Sequence, residues 1–200
     1  MFAALGVVVV AVAALACGAS PRETAGAFGK GYWSLVPFTM QMVFVVIGGY
    51  VLASAPVVSR AIYALARIPR TGRGAVAFVA TLSMLTSLLS WGFSLVFGGL
   101  LVRALSRRRE LQMDYRAAGA AAYLGLGAVW AMGLSSSAAQ LQANPASMPP
   151  ALLAITGVLP FSQTIFLWQS IVLTTILIAV SVAIAWWTAP TGEAARAAPI

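Results

Sequence analysis

Between Arg73 and Arg103 the chain runs for 29 residues without a charge, and arginines crowd both ends of that run. As one straight helix it would be ~44 Å long, against a bilayer hydrocarbon core of ~30 Å. A single crossing would also put Arg60, Arg67, Arg70 and Arg73 on the opposite side from Arg103, Arg107, Arg108, Arg109 and Arg116. Basic loops collect on the cytoplasmic side, so one of the two groups would then be misplaced. Either the helix tilts by more than ~40°, at the edge of what spanning helices do, or the chain dips into the membrane and returns as a re-entrant hairpin. The hairpin removes both conflicts and is the expectation. Irregular backbone survives at membrane depth only inside protein or beside water, so a hairpin here points to a transporter or channel.

Composition agrees. Hydrophobic residues make up 61% of the chain and charged ones 8%, with a mean hydropathy of +0.94. A soluble domain carries about 25% charged residues, so the class is all-α integral membrane protein. The net charge of +8 sits between apolar runs, where it sets orientation and meets anionic lipid rather than nucleic acid. There is no histidine, and Cys17 is the sole cysteine, so no disulfide within the chain, metal site or cofactor is expected. No Asp or Glu lies inside an apolar run. Proton-carrying carboxylates are therefore missing from the spans, and hydroxyls there lack a base to activate them, which argues against an enzyme.

Four crossings and the hairpin account for the apolar segments. Phe2–Ala19 reads as a first span rather than a signal peptide, because no basic region precedes it. Ser20–Gly31 reads as a polar loop, and Trp33–Ala55 as the second crossing, ended by Pro56. Val57–Ile68 carries Val57, Val58, Ala61, Ile62, Leu65 and Ile68 on one face, which predicts a short helix lying along the membrane surface. Arg103–Arg116 is a cytoplasmic loop. Ala117–Ala143 is a third crossing broken by Gly125, Gly127 and Gly133, Asn144–Pro150 is an outside loop, and Thr164–Trp187 is the last crossing. Residues 1–188 then form one membrane domain and 189–200 a polar tail, with both termini cytoplasmic.

Two uncharged polar zones fall where helices should be interrupted near mid-membrane. One is Thr81, Ser83, Thr86, Ser87, Ser90 and Ser94, around Ser90-Trp91-Gly92; the other is Gly133-Leu134-Ser135-Ser136-Ser137. Interrupted helices offer free N–H groups to a carboxylate and free carbonyls to Na⁺. With no buried acid to balance a cation, a small anion suits such a site better. Ser83, Ser87, Ser90 and Ser94 also follow helical spacing, and serines of that kind bond the preceding turn or pack on a neighbour. Ser83, on the hairpin arm, is expected to matter less than Gly92 at the tip. Gln41, alone in the second crossing, is expected to bond another helix.

Gly31-Tyr32-Trp33-Ser34-Leu35, Met40-Gln41-Met42, Leu52-Ala53-Ser54 and Ser90-Trp91-Gly92-Phe93-Ser94-Leu95-Val96-Phe97-Gly98 resemble the bacterial short-chain fatty acid transporters. The resemblance covers about residues 2–188 and implies one inverted-repeat unit of the ion transporter superfamily. It implies cation-coupled (Na⁺ or H⁺) uptake of small carboxylates such as acetoacetate or butyrate in the bacterial inner membrane. Substrate or ion binding carries over to Ser90, Trp91, Gly92 and Ser94 at the hairpin tip, and to Gly133, Ser135, Ser136 and Ser137 in the helix break. Ser90 stands where the family usually has Asn, and Ala131-Met132 follow Trp130 where the family has a His-Gly-Gly-like run. Family members are about twice as long. The chain thus reads as a half-length member working with a second half-transporter or another copy of itself, or else as a non-transporting remnant or accessory subunit.

Overall fold

A computed structural model describes residues 2–146 and 148–196, with the side chains of residues 2, 3, 38, 41, 52, 53 and 193 also outside the description. Gln41 therefore falls outside it as a side chain. Among the described residues every regular element is helical. The chain divides into two compact units, Met1–Phe44 and Val45–Ile200.

The first unit holds α1 (Phe2–Ala16), α2 (Pro21–Ser34) and the start of α3 (Val36–Ser54). The expected polar loop at Ser20–Gly31 is instead the body of α2. Ser20 Oγ accepts from the Glu23 N–H (3.2 Å), and Glu23 Oε2 accepts from the Ser20 N–H (2.8 Å). Pro21, at the first helical position, has no N–H to leave unsatisfied. This reciprocal cap, written in the sequence as Ser-x-x-Glu, starts a helix despite the glycines that follow.

The second unit is organised around α5 (Gly72–Leu89), which packs on α6 (Trp91–Ser106), α7 (Tyr115–Leu124) and α10 (Trp168–Thr188). Between α3 and α5 runs α4 (Pro56–Leu65), which leaves α3 at 73° with Pro56 at its first position. Its apolar face divides. Ile62 is buried with Val58 and Leu65 partly covered, while Val57 and Ile68 are exposed. Beyond α7 come α8 (Ser137–Ala143) and α9 (Pro150–Thr156) before α10. The core uses many small residues: Ala75, Ala80 and Ala118 are fully buried beside Val76, Val79, Met84, Leu101 and Leu105. Small residues let helix backbones come close, which matters in lipid because burying apolar surface there gives little drive for helices to associate.

Three helical stretches are long and apolar enough to cross a membrane: Gly72–Leu89, Tyr115–Ala143 and Trp168–Thr188. The bent pair Met42–Val51 and Pro56–Leu65 would make a fourth. Within Phe2–Ala19, expected as a full crossing, the helix Phe2–Ala16 has 15 residues, ~22 Å of helix and short of a ~30 Å core.

The long uncharged run folds back on itself. Ser83 Oγ and Ser94 Oγ lie 3.3 Å apart, whereas eleven residues of one helix would separate them by ~16 Å. The two arms, α5 and α6, are ~27 and ~24 Å long. Their bases are clamped together: Arg108 donates to the carbonyls of Ala66 (2.7 Å) and Pro69 (2.9 Å), and Glu110 holds the same guanidinium at 2.8 Å. Arg73 joins this end, donating to the Ala189 carbonyl (3.2 Å) with its guanidinium over the Trp186 ring. Both arginine groups thus lie at one end of the hairpin. Cysteines introduced at Arg70 and Arg107 in a Cys17→Ala background are expected to react with an impermeant thiol reagent from one side of the membrane only. Reaction from opposite sides would rule the hairpin out.

Asp114 fastens the last segment to the same end. It is 1% exposed, with Oδ1 accepting from the Ala117 N–H and Oδ2 from the Arg196 N–H, each at 2.8 Å. Burial pushes its carboxyl up, but these two N–H groups and nearby Arg116 outweigh it and hold it below the usual carboxylate range. A depressed folded-state pKa gives stability that is present above the unfolded value of about 3.9 and lost as pH falls through the folded one. Tryptic cleavage after Arg196 is expected to be slow in the parent at neutral pH and faster in Asp114→Ala, which also loses a helix cap worth ~1 kcal/mol. Equal cleavage rates would show that Asp114 does not hold the tail.

Candidate functional site

The hairpin turns on one residue. Ser90 is extended (φ −154°, ψ 116°), closing α5 and opening α6 at once. Its N–H donates to the Thr86 carbonyl (3.0 Å) and its hydroxyl accepts from the Phe93 N–H (3.4 Å). Gly92 beside it is buried. A methyl group there would lie 2.7 Å from Val45 Cγ1, and one on Gly49 would lie 2.8 Å from the Gly92 carbonyl carbon. The tip is therefore packed backbone on backbone against the end of α3.

The second interruption lies along the continuation of α7. The helix widens into a π turn over Gly125–Val129, tightens into a 3₁₀ turn over Trp130–Met132, and stops at Gly133. Ser136 then starts α8, its hydroxyl accepting from the Ala139 N–H (3.3 Å).

The two zones meet. The Trp91 N–H, one of the unpaired donors opening α6, donates to Ser135 Oγ (3.0 Å). The Leu134 N–H donates to the Leu88 carbonyl, one of the free acceptors ending α5, at 2.7 Å. Gly133 permits this approach, because a methyl group on it would sit 2.5 Å from Leu88 O. The hairpin tip and the helix break thus complete each other's backbone hydrogen bonding.

The remaining polar residues separate into two roles. Thr81 and Thr86 donate to the carbonyls of Ala77 (2.9 Å) and Leu82 (2.7 Å) on their own helix. Ser83, Ser87 and Ser94 are each 0% exposed and face the π turn. Ser83 Oγ donates to the Ala122 carbonyl and accepts from the Gly125 N–H (3.2 Å). Ser87 Oγ donates to the Gly125 carbonyl (2.8 Å), and Ser94 Oγ to the Ser83 carbonyl (2.7 Å). Ser83 is therefore an interhelical residue and not a bystander on the arm.

Of the expected site residues, Ser90, Trp91, Gly92, Gly133 and Ser135 come together at the tip. Ser94 lies a turn away in the buried polar seam, Ser136 caps α8 and Ser137 is exposed. The π turn was not foreseen. The sequence marked the place with Gly125 and Gly127, but that Ser83 and Ser87 stand opposite Gly125 is decided by the fold. Single π turns concentrate at functional sites.

The chain matches the pattern of the family described as "Short chain fatty acid transporter" over residues 1–197. Among curated sequences, it is 30% identical over 164 residues to a protein of Haemophilus influenzae named "Putative short-chain fatty acid transporter". It is 31% identical over 161 residues to a protein of Escherichia coli carrying the same name. Each alignment covers 80% of this chain and 36% of the relative, so the chain spans little more than a third of the length of these relatives. No solved structure matches it. The family pattern runs through both interruptions and the helices that carry them, so this chain, a multi-pass membrane protein, belongs to the short-chain fatty acid transporter family.

Proposed function

We propose that the chain is one repeat of a cation-coupled carrier for small carboxylates such as acetoacetate or butyrate, embedded in the bacterial inner membrane with both termini cytoplasmic. The observation that supports this most is the bonded contact between hairpin tip and helix break. Its two bonds, Trp91 N–H to Ser135 Oγ and Leu134 N–H to Leu88 O, join a helix N-terminus to a broken helix and a helix C-terminus to the same break. Parting them frees an anion-binding donor and a cation-binding carbonyl side by side. Alternating access then consists of one bundle rocking while this pair opens to a carboxylate and its Na⁺ or H⁺. A second repeat, from another chain or another copy of this one, supplies the facing wall.

Vesicles holding the chain alone are expected not to accumulate labelled butyrate under an imposed Na⁺ or H⁺ gradient. Supplying the rest of a relative's length in the same vesicles is expected to restore uptake. Uptake by the chain alone would show that two copies of it pair into a carrier and would overturn the remnant or accessory reading, and none with the supplement would overturn transport. In the restored system Gly133→Val is expected to abolish uptake, because its neighbour is backbone that cannot yield. Ser135→Ala is expected to weaken butyrate or ion binding by about 1–2 kcal/mol, roughly five- to thirtyfold. Parent-like uptake by Gly133→Val would move the site away from the break.

The same contact favours a second reading. The groups that would hold a solute are satisfied by one another, as suits an accessory membrane subunit whose hairpin is locked shut.

A further inference from the structure

Away from the tip, at the arginine end of the hairpin, α4 and α6 border an open groove of about 170 Å³ lined by Ser59, Ile62, Tyr63, Leu100, Arg103, Ala104 and Arg107, of which Tyr63, Arg103 and Arg107 are exposed. Ser59 and Tyr63 stand one turn apart on α4 and face Arg103 and Arg107, one turn apart at the end of α6. A cavity of about 150 Å³ holds a benzene ring, so this groove admits a headgroup-sized moiety but not a whole lipid.

Last-turn arginines complement the carbonyl end of a helix and set membrane orientation. That accounts for two charges at this position. It does not account for their lining a groove with two hydroxyls on the opposite wall. Like charges one turn apart repel, and among the described residues neither guanidinium meets a carboxylate: Glu110 is held by Arg108, and Asp114 pairs with Arg116. Arg107 Nη1 donates to Tyr63 Oη at 3.4 Å, which leaves the phenol proton and the rest of the fork free to donate. Four donor groups thus line one groove, with no protein anion in it among the described residues.

The apolar lining fixes which kind of anion fits. Leu100 lies one turn further along α6 toward the tip than Arg103 and Ala104, so the apolar floor lies on the membrane side and the cations on the basic side. Ile62 is buried in the α4 wall. A ligand filling this space is charged at the end of the bundle and oily below. We propose that this groove binds the phosphate of an anionic phospholipid headgroup, with the acyl chains running down past Leu100 into the bilayer. Basic pockets between helices at the membrane surface bind such headgroups, and arginine's planar fork matches phosphate oxygens.

The test uses native mass spectrometry of the full chain in a neutral detergent, titrated with phosphatidylglycerol or phosphatidylcholine. The parent is expected to retain phosphatidylglycerol in preference. Arg103→Gln/Arg107→Gln is expected to weaken that retention about 25-fold, roughly fivefold per arginine, with phosphatidylcholine unaffected. Arg67→Gln/Arg70→Gln removes the same charge from the neighbouring loop and is expected to change retention by less than about threefold. Tyr63→Phe, which keeps the ring and removes one donor, is expected to lose a fewfold while melting like the parent. An equal loss in the two arginine pairs would overturn the proposal, since diffuse charge would then explain the binding. Displacement of phosphatidylglycerol by millimolar inorganic phosphate would overturn the lipid as ligand and identify a soluble phosphate in its place.

Discussion

Gly125→Ala is expected to be the most damaging single-methyl change in the second unit, and to lower the melting temperature of the detergent-solubilised protein by many degrees. A Cβ at this position meets the Ser83 carbonyl oxygen, with Ser94 Oγ at 2.5 Å and Ser83 Oγ at 2.8 Å. The carbonyl is backbone and cannot swing aside, and the two hydroxyls belong to fully buried serines that are already hydrogen-bonded. Relief requires α7 to move off α5, which separates the serine hydroxyls from the π turn as well. Overpacking of this kind costs about 1–3 kcal/mol or more, and the lost hydrogen bonds add to it. Gly119→Ala, earlier in the same helix, meets nothing within 4 Å and is expected to hold or raise stability, because alanine is the better helix former by ~1 kcal/mol. If both variants melt alike, the close approach of α5 and α7 at the π turn is not what holds this unit together.

Ser83→Ala is the second large effect. It removes the hydroxyl that at once donates to Ala122 O and accepts from Gly125 N–H, leaving an acceptor and a donor short of a partner in a dry seam. An unmade buried hydrogen bond costs about 1–3 kcal/mol, whereas interhelical bonds measured in a membrane protein average ~0.6 kcal/mol. The higher range applies here because two groups lose their partner together and the seam is shut to water. Thr86→Ala is the comparison. Its hydroxyl donates to carbonyls of its own arm, Leu82 and Ser83, which lie within the helical ladder, so its loss is expected to be nearly neutral. A double-mutant cycle between Ser83→Ala and Ser87→Ala reports whether the two hydroxyls act as one unit on Gly125. Strict additivity, or a Thr86→Ala cost equal to that of Ser83→Ala, would return these serines to simple packing.

Much of this architecture follows from charge and length along the chain. The hairpin did, because an uncharged run too long for one crossing and flanked by arginine on both sides has few solutions in a bilayer. The break at Gly133–Ser137 and the turn at Ser90 were expected from polar and glycine residues near mid-membrane, although Gly48-Gly49 and Gly98-Gly99 lie inside unbroken helices. The helix at Pro21–Ser34 was legible too, in the Ser20–Glu23 cap, but the glycine content of the segment masked it. What no one-dimensional pattern carried was which interruption would face which. Helical spacing puts Ser83 and Thr86 on the same arm with the same chemistry. Only the crossing of α5 with α7 turns one into an interhelical anchor and leaves the other bonded to its own turn. Likewise Ser59, Tyr63, Arg103 and Arg107 read as parts of two separate surface segments until the hairpin brings the end of α6 back beside α4. Sequence determines where a membrane helix must start, stop and bend, because each unpaired backbone group in lipid costs several kcal/mol locally. The pairing of one stop with another is decided by packing between segments distant along the chain, where the free energy lies in contacts that exist only once both are in place.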